Sequence, residues 1–370
     1  MKIFRVGGSV RDELLGLPVK DRDYVVVGAT PEAMTALGFR PVGKDFPVFL
    51  HPKTAEEYAL ARTERKSGRG YKGFVVQADP DVTLDEDLAR RDLTINAMAL
   101  GEDGTLIDPF GGERDLRAGV LRHVSAAFVE DPVRVLRLAR FAARFGFHVA
   151  EDTYALMRHM VDTGEVDHLV PERVWQEVSR GLMEARPSVM FGVLAECGAL
   201  PRIAPEWADA LDARHALARD TLVAVDRAAE HGASLPVRFA IVAHRLGQQL
   251  DALCERLRVP NDCRDLARVC HEGAATVRLA ATLTPEEIVS LFQQADAFRR
   301  TARFELALEV LAIEDGEPPN VYAPAVHLRR ALAATQSVDA AALARIGTPA
   351  EIPARIREAR VAAVRDALAR

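Results

Sequence analysis

The sequence has 370 residues, enough for two or more domains, and its 49% hydrophobic and 28% charged residues are typical of a globular protein. No apolar run approaches the roughly 20 residues of a membrane-spanning helix, so no membrane partner is predicted. The net charge is −6, and a polyanionic partner would have to be met by local basic clusters. Four cysteines without a C-x-x-C pair predict buried, reduced thiols and a cytoplasmic location: Cys197, Cys254, Cys263 and Cys270.

The first 125 residues or so alternate strand and helix signals. Helices are predicted over Ser9–Leu15 with Ser9 as N-cap, after Thr30, and after Thr83, where Thr-Leu-Asp-Glu forms a capping box. The predicted strands are Lys2–Val6, Asp23–Val27, Val48–Leu50 and Glu57–Ala61. This alternation predicts a small α/β domain.

From Asp131 onward strand signals nearly vanish, and helical stretches follow one another. An Ala-rich helical C-terminus begins after Pro353. The other helices are predicted at 131–145, 151–162, 171–184, 187–197, 218–231, 236–257, 261–271, 285–298 and 300–313. The predicted architecture is therefore an α/β head followed by an all-helical remainder.

Two features of the head could bind phosphate and metal. Gly7-Gly8 lies between a strand and a helix, where backbone N–H groups can approach an anion, although many such pairs are only tight turns. Asp21 and Asp23 begin a strand and project to the same face, so they repel each other unless a cation lies between them. A lone pair of this kind is usually solvated. Together with the glycine turn, however, it favours a two-metal phosphoryl-transfer site.

Arginines dominate two further segments. Residues 90–97 combine Arg90 and Arg91, which suit triphosphate oxygens, with an acid and an amide, which suit ribose hydroxyls; the alternative is a helix boundary capped by Asp92. In the helix 131–145 four arginines form one stripe without interleaved acids, which favours an anionic ligand over i,i+4 pairing: Arg134, Arg137, Arg140 and Arg144. Asp131-Pro132 is also explained as an N-cap followed by the first helical residue.

Several segments carry a resemblance to a known family: GGSVRDELLG with DRDYVVVG, RRDLTINAMA, and EDPVRVLRLARFAARFGF. In this order they resemble the motifs of bacterial class II tRNA nucleotidyltransferases, the CCA-adding enzymes, whose relatives include bacterial poly(A) polymerases. The resemblance is dense from Met1 to about Pro205 and returns in residues 256–268. It implies a polymerase-β-like head with a small mixed sheet at 1–125, a helical neck and body at 126–205, and a helical, tRNA-binding tail at 206–370.

The resemblance also assigns roles to residues. Asp21 and Asp23 match the catalytic carboxylates that bind the metal, with Glu57 as a third candidate, and Asp92 matches the acid that senses the ribose. The positions that hold ATP or CTP are matched by Gly8, Arg11, Arg91, Arg137 and Arg140. Asp131 and Arg134 match the amino-acid template that pairs with the base edge, since a carboxylate accepts from an exocyclic amine and a guanidinium donates to a ring nitrogen or carbonyl.

The resemblance therefore implies Mg²⁺-dependent addition of C, C and A to tRNA 3′ ends from CTP and ATP, with no protein partner inferred. The alternative enzyme is a poly(A) polymerase. The segment Gly43–Val48 argues against it, because this segment resembles the CCA-adding form. The alternative from another class is a catalytically inactive tRNA-binding homologue. The intact pair Asp21 and Asp23 argues against it.

One departure concerns a phosphohydrolase domain that longer members of the family carry, marked by His-Asp before Leu-Gly-Lys. The matching stretch here is His244-Arg245-Leu246-Gly247-Gln248, with arginine in place of the aspartate. A cation at a ligand position repels a metal. The sequence thus predicts a degenerate region without this activity, in which His244 is a packed or surface residue.

Overall fold

The structure is a computed structural model that describes residues 1–19, 21–42, 48–66, 74–345 and 348–369. The chain forms two compact units, Met1–Gly181 with Val189–Ile203, and Leu182–Ser188 with Ala204–Arg370. None of the described helices is long and apolar enough to span a membrane. The predicted three-part division at residues 125 and 205 stays a prediction, because the packing of the chain defines only these two units.

Up to Ile203, strands and helices first alternate and helices then predominate. The described strands are β1 (Lys2–Val6), β2 (Asp23–Val27), β3 (Arg40–Val42), β4 (Val48–Leu50), β5 (Glu57–Leu60), β6 (Arg62–Lys66), β7 (Phe74–Ala78), β8 (Ala99–Gly101), β9 (Leu106–Ile107), β10 (Val120–Leu121) and β11 (His148–Val149). The helices are α1 (Gly8–Leu14), α2 (Pro31–Ala36), α3 (Leu84–Ala89), α4 (Gly112–Ala118), α5 (Val133–Phe145), α6 (Glu151–Asp162), α7 (Pro171–Leu182), α8 (Pro187–Glu196) and α9 (Leu200–Ile203).

Seven of the described strands form one mixed sheet in the order β3-β4-β5-β2-β1-β8-β9. Strand β2 runs parallel to β5, and the other neighbours in this sheet pair antiparallel. Val25 and Val26, adjacent on β2, are both buried but belong to different apolar clusters. Because successive side chains point to opposite faces, apolar groups cover both sides of this strand. The predicted α/β head with a small mixed sheet is confirmed.

Helix α5 carries its arginines opposite a buried apolar side, as its spacing predicts. The helix begins at Val133 rather than Asp131, because Pro132 occupies the N-cap position. Asp131 is therefore not the N-cap, although its Oδ1 accepts a hydrogen bond from the Val133 N–H at 3.1 Å.

The second unit is helical throughout its described residues. Its helices are α10 (Pro205–Ala210), α11 (Ala216–Glu230), α12 (Leu235–Ala243), α13 (Gln249–Leu257), α14 (Asn261–Arg278), α15 (Pro285–Gln294), α16 (Thr301–Glu314), α17 (Ala323–Thr335), α18 (Ala340–Ala344) and α19 (Ile352–Leu368). Helices α14, α15, α16, α17 and α19 share one apolar cluster, which includes Phe292, Leu328 and Val364.

Three helix predictions in this unit are wrong. Helix α15 ends at Gln294, before its predicted end at residue 298. The single helix predicted for 236–257 is interrupted by a 3-10 turn at His244–Leu246 and by Gly247, whose φ of +59° favours glycine. Helix α14 continues to Arg278, past its predicted end at residue 271, because Gly273 lies inside the helix rather than ending it. The four cysteines are buried and unpaired, as predicted.

Gly112, at the start of α4, packs against the 3-10 turn Thr94–Asn96, which contributes to the site described below. A Cβ atom at Gly112 would lie 2.2 Å from the Thr94 carbonyl oxygen and 2.8 Å from Met98 Cγ. We expect Gly112→Ala to lower the free energy of unfolding by about 2 to 3 kcal/mol, because the backbone at Thr94 would have to shift. Denaturant unfolding measures the change.

Gly192→Ala is the matched control. A Cβ atom at Gly192, on helix α8, meets no other atom within 4 Å. This substitution only removes backbone freedom from the unfolded chain and should stabilise the protein by up to about 1 kcal/mol. Equal stability of G112A and the wild type would contradict the close packing at α4.

Candidate active site

Two of the three predicted metal-side carboxylates, Asp23 and Glu57, lie on neighbouring strands, whereas Asp21 precedes β2 instead of beginning it as predicted. In the parallel pairing of β2 with β5, Asp23 is in register with Glu57, so both side chains project from the same face of the sheet. One residue further along each strand, the rings of Tyr24 and Tyr58 stack with their centroids 4.4 Å apart. Asp21, Asp23 and Glu57 line one pocket, which we call the carboxylate pocket. The structure thus brings these three residues together.

The electrostatics of the carboxylate pocket favour a bound cation. Burial raises the pKa of Asp23, and the nearby charge of Asp21 raises it further, against an opposing effect of Arg91. Among the described residues, no group of three or more His, Cys, Asp or Glu side chains is arranged to hold a metal by itself. Mg²⁺ commonly takes one or two carboxylates and completes its shell with water and substrate phosphates, so these residues fit that ion.

The glycine turn joins β1 to α1. Gly7 has a φ of +71°, which favours glycine, and a Cβ atom there would lie 2.9 Å from Arg91 Nη1, so that guanidinium would have to shift. The prediction of Ser9 as N-cap is wrong. Helix α1 begins at Gly8 with Gly7 at the N-cap position, and Ser9 Oγ donates to the Val6 carbonyl at 3.0 Å.

A second cavity of about 480 Å³, which we call the arginine cleft, shares Asp23 with the carboxylate pocket. Eight arginines and three aspartates line it, so its lining is strongly positive. The lining includes every residue predicted to bind the nucleotide: Gly7, Gly8, Arg11, Asp23, Arg90, Arg91, Asp92, Asn96, Asp131, Arg134, Arg137, Arg140, Phe141, Arg144 and Arg173.

Arg11 is buried and is held by Asp12 and Asn96. Its Nε and Nη2 donate to Asp12 Oδ1 at 2.8 and 2.7 Å, and its Nη1 donates to Asn96 Oδ1 at 2.5 Å. Burial lowers the pKa of Arg11, while Asp12 raises it. Asn96 Nδ2 in turn donates to Asp92 Oδ1 at 3.0 Å. Hydrogen bonds therefore run continuously from α1 to Asp92.

Asp92 is buried and accepts hydrogen bonds on both oxygens. Oδ1 also accepts from the Leu93 N–H at 2.9 Å, and Oδ2 accepts from Arg137 Nε at 2.8 Å, with Arg137 Nη2 equally close. Burial opposes ionisation, yet the Arg137 charge and the bonds from Asn96 and Arg137 lower the pKa of Asp92 to about 2. The alternative of Asp92 as a helix cap is wrong, because Leu93 holds the N-cap position of the following turn.

The predicted base-reading pair lies at the start of α5. Asp131 is gripped by Arg173, whose Nη1 donates to Oδ1 at 3.2 Å and whose Nη2 donates to Oδ2 at 2.9 Å. Arg134 donates from Nη1 to the Ala127 carbonyl at 2.9 Å and from Nη2 to the Arg90 carbonyl at 2.6 Å. Both side chains are thus fixed by protein contacts.

The other arginines of α5 find acidic partners on distant segments. Arg140 Nε donates to Glu177 Oε2 at 2.7 Å, and Arg144 Nη2 donates to Asp12 Oδ2 at 3.0 Å. Helix α5 itself contains no acidic residue that could pair with them at i,i+4 spacing. The anionic ligand that the stripe favours stays a prediction, and the structure adds that tertiary carboxylates also pair with these guanidinium groups.

Arg173 and two acids that hold arginines of the cleft, Asp87 and Glu177, are not among the site residues predicted from the sequence. Asp87 on α3 is fully buried and accepts from Arg90 Nε at 3.0 Å and from Arg91 Nη2 at 3.3 Å. Arg173 and Glu177 lie four residues apart on α7 and therefore on one helix face. This spacing on a strongly amphipathic helix is the sequence signal from which Arg173 and Glu177 could have been identified.

His244 in the second unit is buried against Glu314 of α16. Its Nε2 lies 2.8 Å from Glu314 Oε1, and Arg245 Nη2 lies 3.1 Å from the same oxygen. Arg278 Nη2 donates to Glu314 Oε2 at 2.9 Å. Burial opposes ionisation, but His244 and the two arginines lower the pKa of Glu314 to about 2. The predicted packed role of His244 agrees with this geometry, and two guanidinium groups supply positive charge at this position.

Comparison with known proteins gives the same class as the site. The family model described as "Poly A polymerase head domain" matches residues 3–122, and the one described as "Probable RNA and SrmB- binding site of polymerase A" matches residues 146–211. A "Multifunctional CCA protein" of Burkholderia cenocepacia is 55% identical, covering all of this chain and 99% of that protein.

Two solved structures are also similar to this chain. The CCA-adding enzyme of Bacillus stearothermophilus in complex with CTP has a TM-score of 0.74 at 25% identity, covering 98% of this chain and 89% of that one. A tRNA nucleotidyltransferase complexed with a primer tRNA and an incoming ATP analogue has a TM-score of 0.62 at 26% identity, covering 85% and 92%.

The fold and the site therefore define a nucleotidyltransferase with a polymerase-β-like head. The chain belongs to the family of multifunctional CCA proteins, the class II CCA-adding enzymes. The resemblance found in the sequence is thereby confirmed. The segment Gly43–Pro47, used above against a poly(A) polymerase, lies outside the described residues.

The acid dependence of stability should report the Glu314 cluster. The pKa of Glu314 is about 2 in the folded protein and 4.5 ordinarily, so its stabilisation is complete above pH 4.5 and is lost as the pH falls towards 2. We expect the wild type to lose about 3 kcal/mol more than Glu314→Gln across that range. Urea unfolding at a series of pH values measures this difference.

Glu305→Gln is the matched control on the same helix. Glu305 pairs with Arg329 at 2.7 Å, but both side chains are about one third exposed, so this pair contributes little. E305Q should keep the acid dependence of the wild type. If E314Q also kept the acid dependence of the wild type, the cluster around Glu314 would not account for the lowered pKa of Glu314.

Proposed function

We propose that this chain adds C, C and A to the 3′ end of tRNA, taking CTP and ATP as substrates and using no nucleic-acid template. One observation carries the proposal: Asp23 lines both the carboxylate pocket and the arginine cleft. A metal-binding carboxylate beside a cationic cavity is what transfer of a nucleotidyl group requires. The solved relatives were captured with CTP, and with a primer tRNA and an ATP analogue, which supports the same ligands here.

Asp21 and Asp23 would hold Mg²⁺, with Glu57 as a third carboxylate on the same side. The bound ion would neutralise charge on the phosphates and favour deprotonation of the attacking hydroxyl. In the reaction, the tRNA 3′-oxygen forms a bond to the α-phosphorus, the bond to pyrophosphate breaks, and the hydroxyl proton leaves to solvent. Most of the catalysis is positioning and charge neutralisation.

The arginine cleft binds the nucleotide in this proposal. Arg11, Arg91, Arg137 and Arg140 face the triphosphate, and backbone flexibility at Gly7 and Gly8 lets the turn approach it. Asp92 senses the ribose. Because Arg137 already occupies Asp92 Oδ2, a ribose hydroxyl has to take the place of that guanidinium.

Asp131 and Arg134 select the base. The described contacts of Asp131 are one hydrogen bond from Val133 and two from Arg173, whereas an ionised carboxylate can accept about four. The remaining acceptor site suits the exocyclic amine of cytosine or adenine. It rejects the carbonyl that uracil and guanine carry at the corresponding position.

The helical residues 126–205 and 206–370 grip the tRNA by shape and phosphate contacts in this proposal. We place the protein in the cytoplasm, supported by its four buried, unpaired cysteines. Phosphohydrolase activity is absent, which the Arg245–Glu314 contact supports. The relative from Burkholderia aligns over 413 positions, so it also has residues without a counterpart in the 370 of this chain.

The decisive experiment incubates tRNA lacking CCA with CTP, ATP and Mg²⁺ and sequences the product ends. We expect C, C and A in that order and termination after A. A long adenosine tail would identify a poly(A) polymerase instead. Unchanged ends together with tight tRNA binding would identify an inactive tRNA-binding homologue.

Asp21→Ala or Asp23→Ala should abolish nucleotide addition and leave tRNA affinity nearly unchanged, because this pair serves the metal and not the tRNA. Glu56→Gln is the control: Glu56 lines the same pocket, but its carboxylate accepts from Thr54 Oγ1 at 2.8 Å. E56Q should keep most of the activity. Loss of tRNA affinity in step with activity in the aspartate variants would contradict the assignment.

Asp131→Ala and Arg134→Ala should erode the preference for CTP and ATP over UTP and GTP. Each lost contact to a base edge is worth about 1 to 3 kcal/mol, or roughly 5- to 150-fold in selectivity. Misincorporation assays with each nucleotide measure the change, alongside thermal melts.

Ser125→Ala is the structural control for that pair. Ser125 Oγ accepts from the Ala127 N–H at 3.2 Å just before α5, and Ser125 does not line the cleft. This variant should lose about 1 kcal/mol of stability and keep its selectivity. A destabilised but fully selective D131A enzyme would remove the support for base reading by Asp131.

A further inference from the structure

In the arginine cleft, Asn96 connects Arg11, which is proposed to face the triphosphate, to Asp92, which is proposed to sense the ribose. It lies on the 3-10 turn Thr94–Asn96 and is buried. Its Oδ1 accepts from Arg11 Nη1 at 2.5 Å, and its Nδ2 donates to Asp92 Oδ1 at 3.0 Å.

The chemistry of the two neighbours requires an amide here. A guanidinium can only donate hydrogen bonds, and an ionised carboxylate can only accept them, so the group between them must accept on one side and donate on the other. Within a single short side chain, the primary amide meets this requirement and also fixes its own orientation. A carboxylate at this position would repel Asp92.

We infer that Asn96 is a positioning residue for ribose selection: it holds Asp92 in the orientation that prefers a ribonucleotide over a 2′-deoxyribonucleotide. The inference rests on the proposed function, in which Asp92 senses the ribose. Asn96 touches neither the sugar nor the metal in this scheme and acts through Asp92.

The unequal anchoring of the two Asp92 oxygens supports this role. Oδ1 is held by two donors of its own segment, the Leu93 N–H and Asn96 Nδ2, and both are buried. Oδ2 is held by Arg137, whose side chain is 37% exposed. Oδ2 is therefore the oxygen that can exchange partners, and Asn96 keeps it turned towards Arg137 and the cleft.

The test compares CTP with 2′-deoxy-CTP in the wild type, Asn96→Ala and Asn96→Asp. Asn96→Asp keeps the shape and the acceptor for Arg11 but removes the donor to Asp92. We expect the preference for CTP, as the ratio of kcat/KM values, to fall roughly 10-fold in both variants, which corresponds to one lost hydrogen bond to a charged group. Most of the change should lie in KM.

Thr94→Val is the matched control on the same turn. Thr94 is buried, and its Oγ1 donates to Asp115 Oδ2 at 2.9 Å, outside the lining of the cleft. We expect T94V to lower Tm and to leave the preference for CTP unchanged. If Asn96 had only a structural role, N96A and N96D would also lower Tm and leave the preference for CTP unchanged. A wild-type ratio of kcat/KM values in both Asn96 variants would therefore overturn the inference.

Equilibrium binding of the two nucleotides without tRNA keeps the inference testable when turnover is lost. The affinity ratio of CTP to 2′-deoxy-CTP should fall in N96A and N96D as the kinetic ratio does. Equal affinity of the wild type for both nucleotides would also overturn the role of Asn96. If the wild type discriminated in binding but added nothing to tRNA, the proposed function would fail and the positioning role would stand.

Discussion

A guanidinium group keeps its proton at any physiological pH, and this constraint governs the arginine cleft. Eight like charges around one cavity would repel each other unless fixed negative charges lay close to them. The fold supplies these charges from separate segments: Asp12 on α1, Asp87 on α3 and Glu177 on α7. Because each acid holds its arginine by directed hydrogen bonds, the donors are oriented before a nucleotide arrives. For the arginines that these three acids hold, charge neutralisation then requires little rearrangement of the protein.

The parts of the site that depend on local sequence could be predicted. The strand Asp23–Val27 was recognised from its run of β-branched residues, and its bounds are those of β2. The arginine stripe follows from helical periodicity, which places residues three and four apart on one face whatever surrounds the helix. The resemblance to a family then assigned roles to the individual residues. From spacing alone, each of these features can also be explained by a purely structural role.

The remaining parts depend on contacts between distant residues. Asp131 and Arg173 are 42 residues apart, and Arg140 and Glu177 are 37 apart, so no local pattern links either pair. Strand β6 reads Arg-Thr-Glu-Arg-Lys, which has no alternation of apolar and polar residues, and the strands after it are mostly two or three residues long. The second unit was predicted with a continuous helix over 236–257 because helical periodicity does not register a single residue such as Gly247 with positive φ.

Asp92 and Asp131 have different acceptor capacity left for a ligand, and in the proposed function this difference would order the recognition of a nucleotide. Among the described contacts of Asp131, one acceptor site remains, so an exocyclic amine can bind without displacing a protein group. Four nitrogen atoms face Asp92, two of them from Arg137. A ribose hydroxyl must therefore displace Arg137, and the displaced guanidinium then needs a new anion within its reach. In the proposed function, the triphosphate of the same nucleotide would provide that anion, so that sensing of the sugar and neutralisation of the phosphates would become a single exchange.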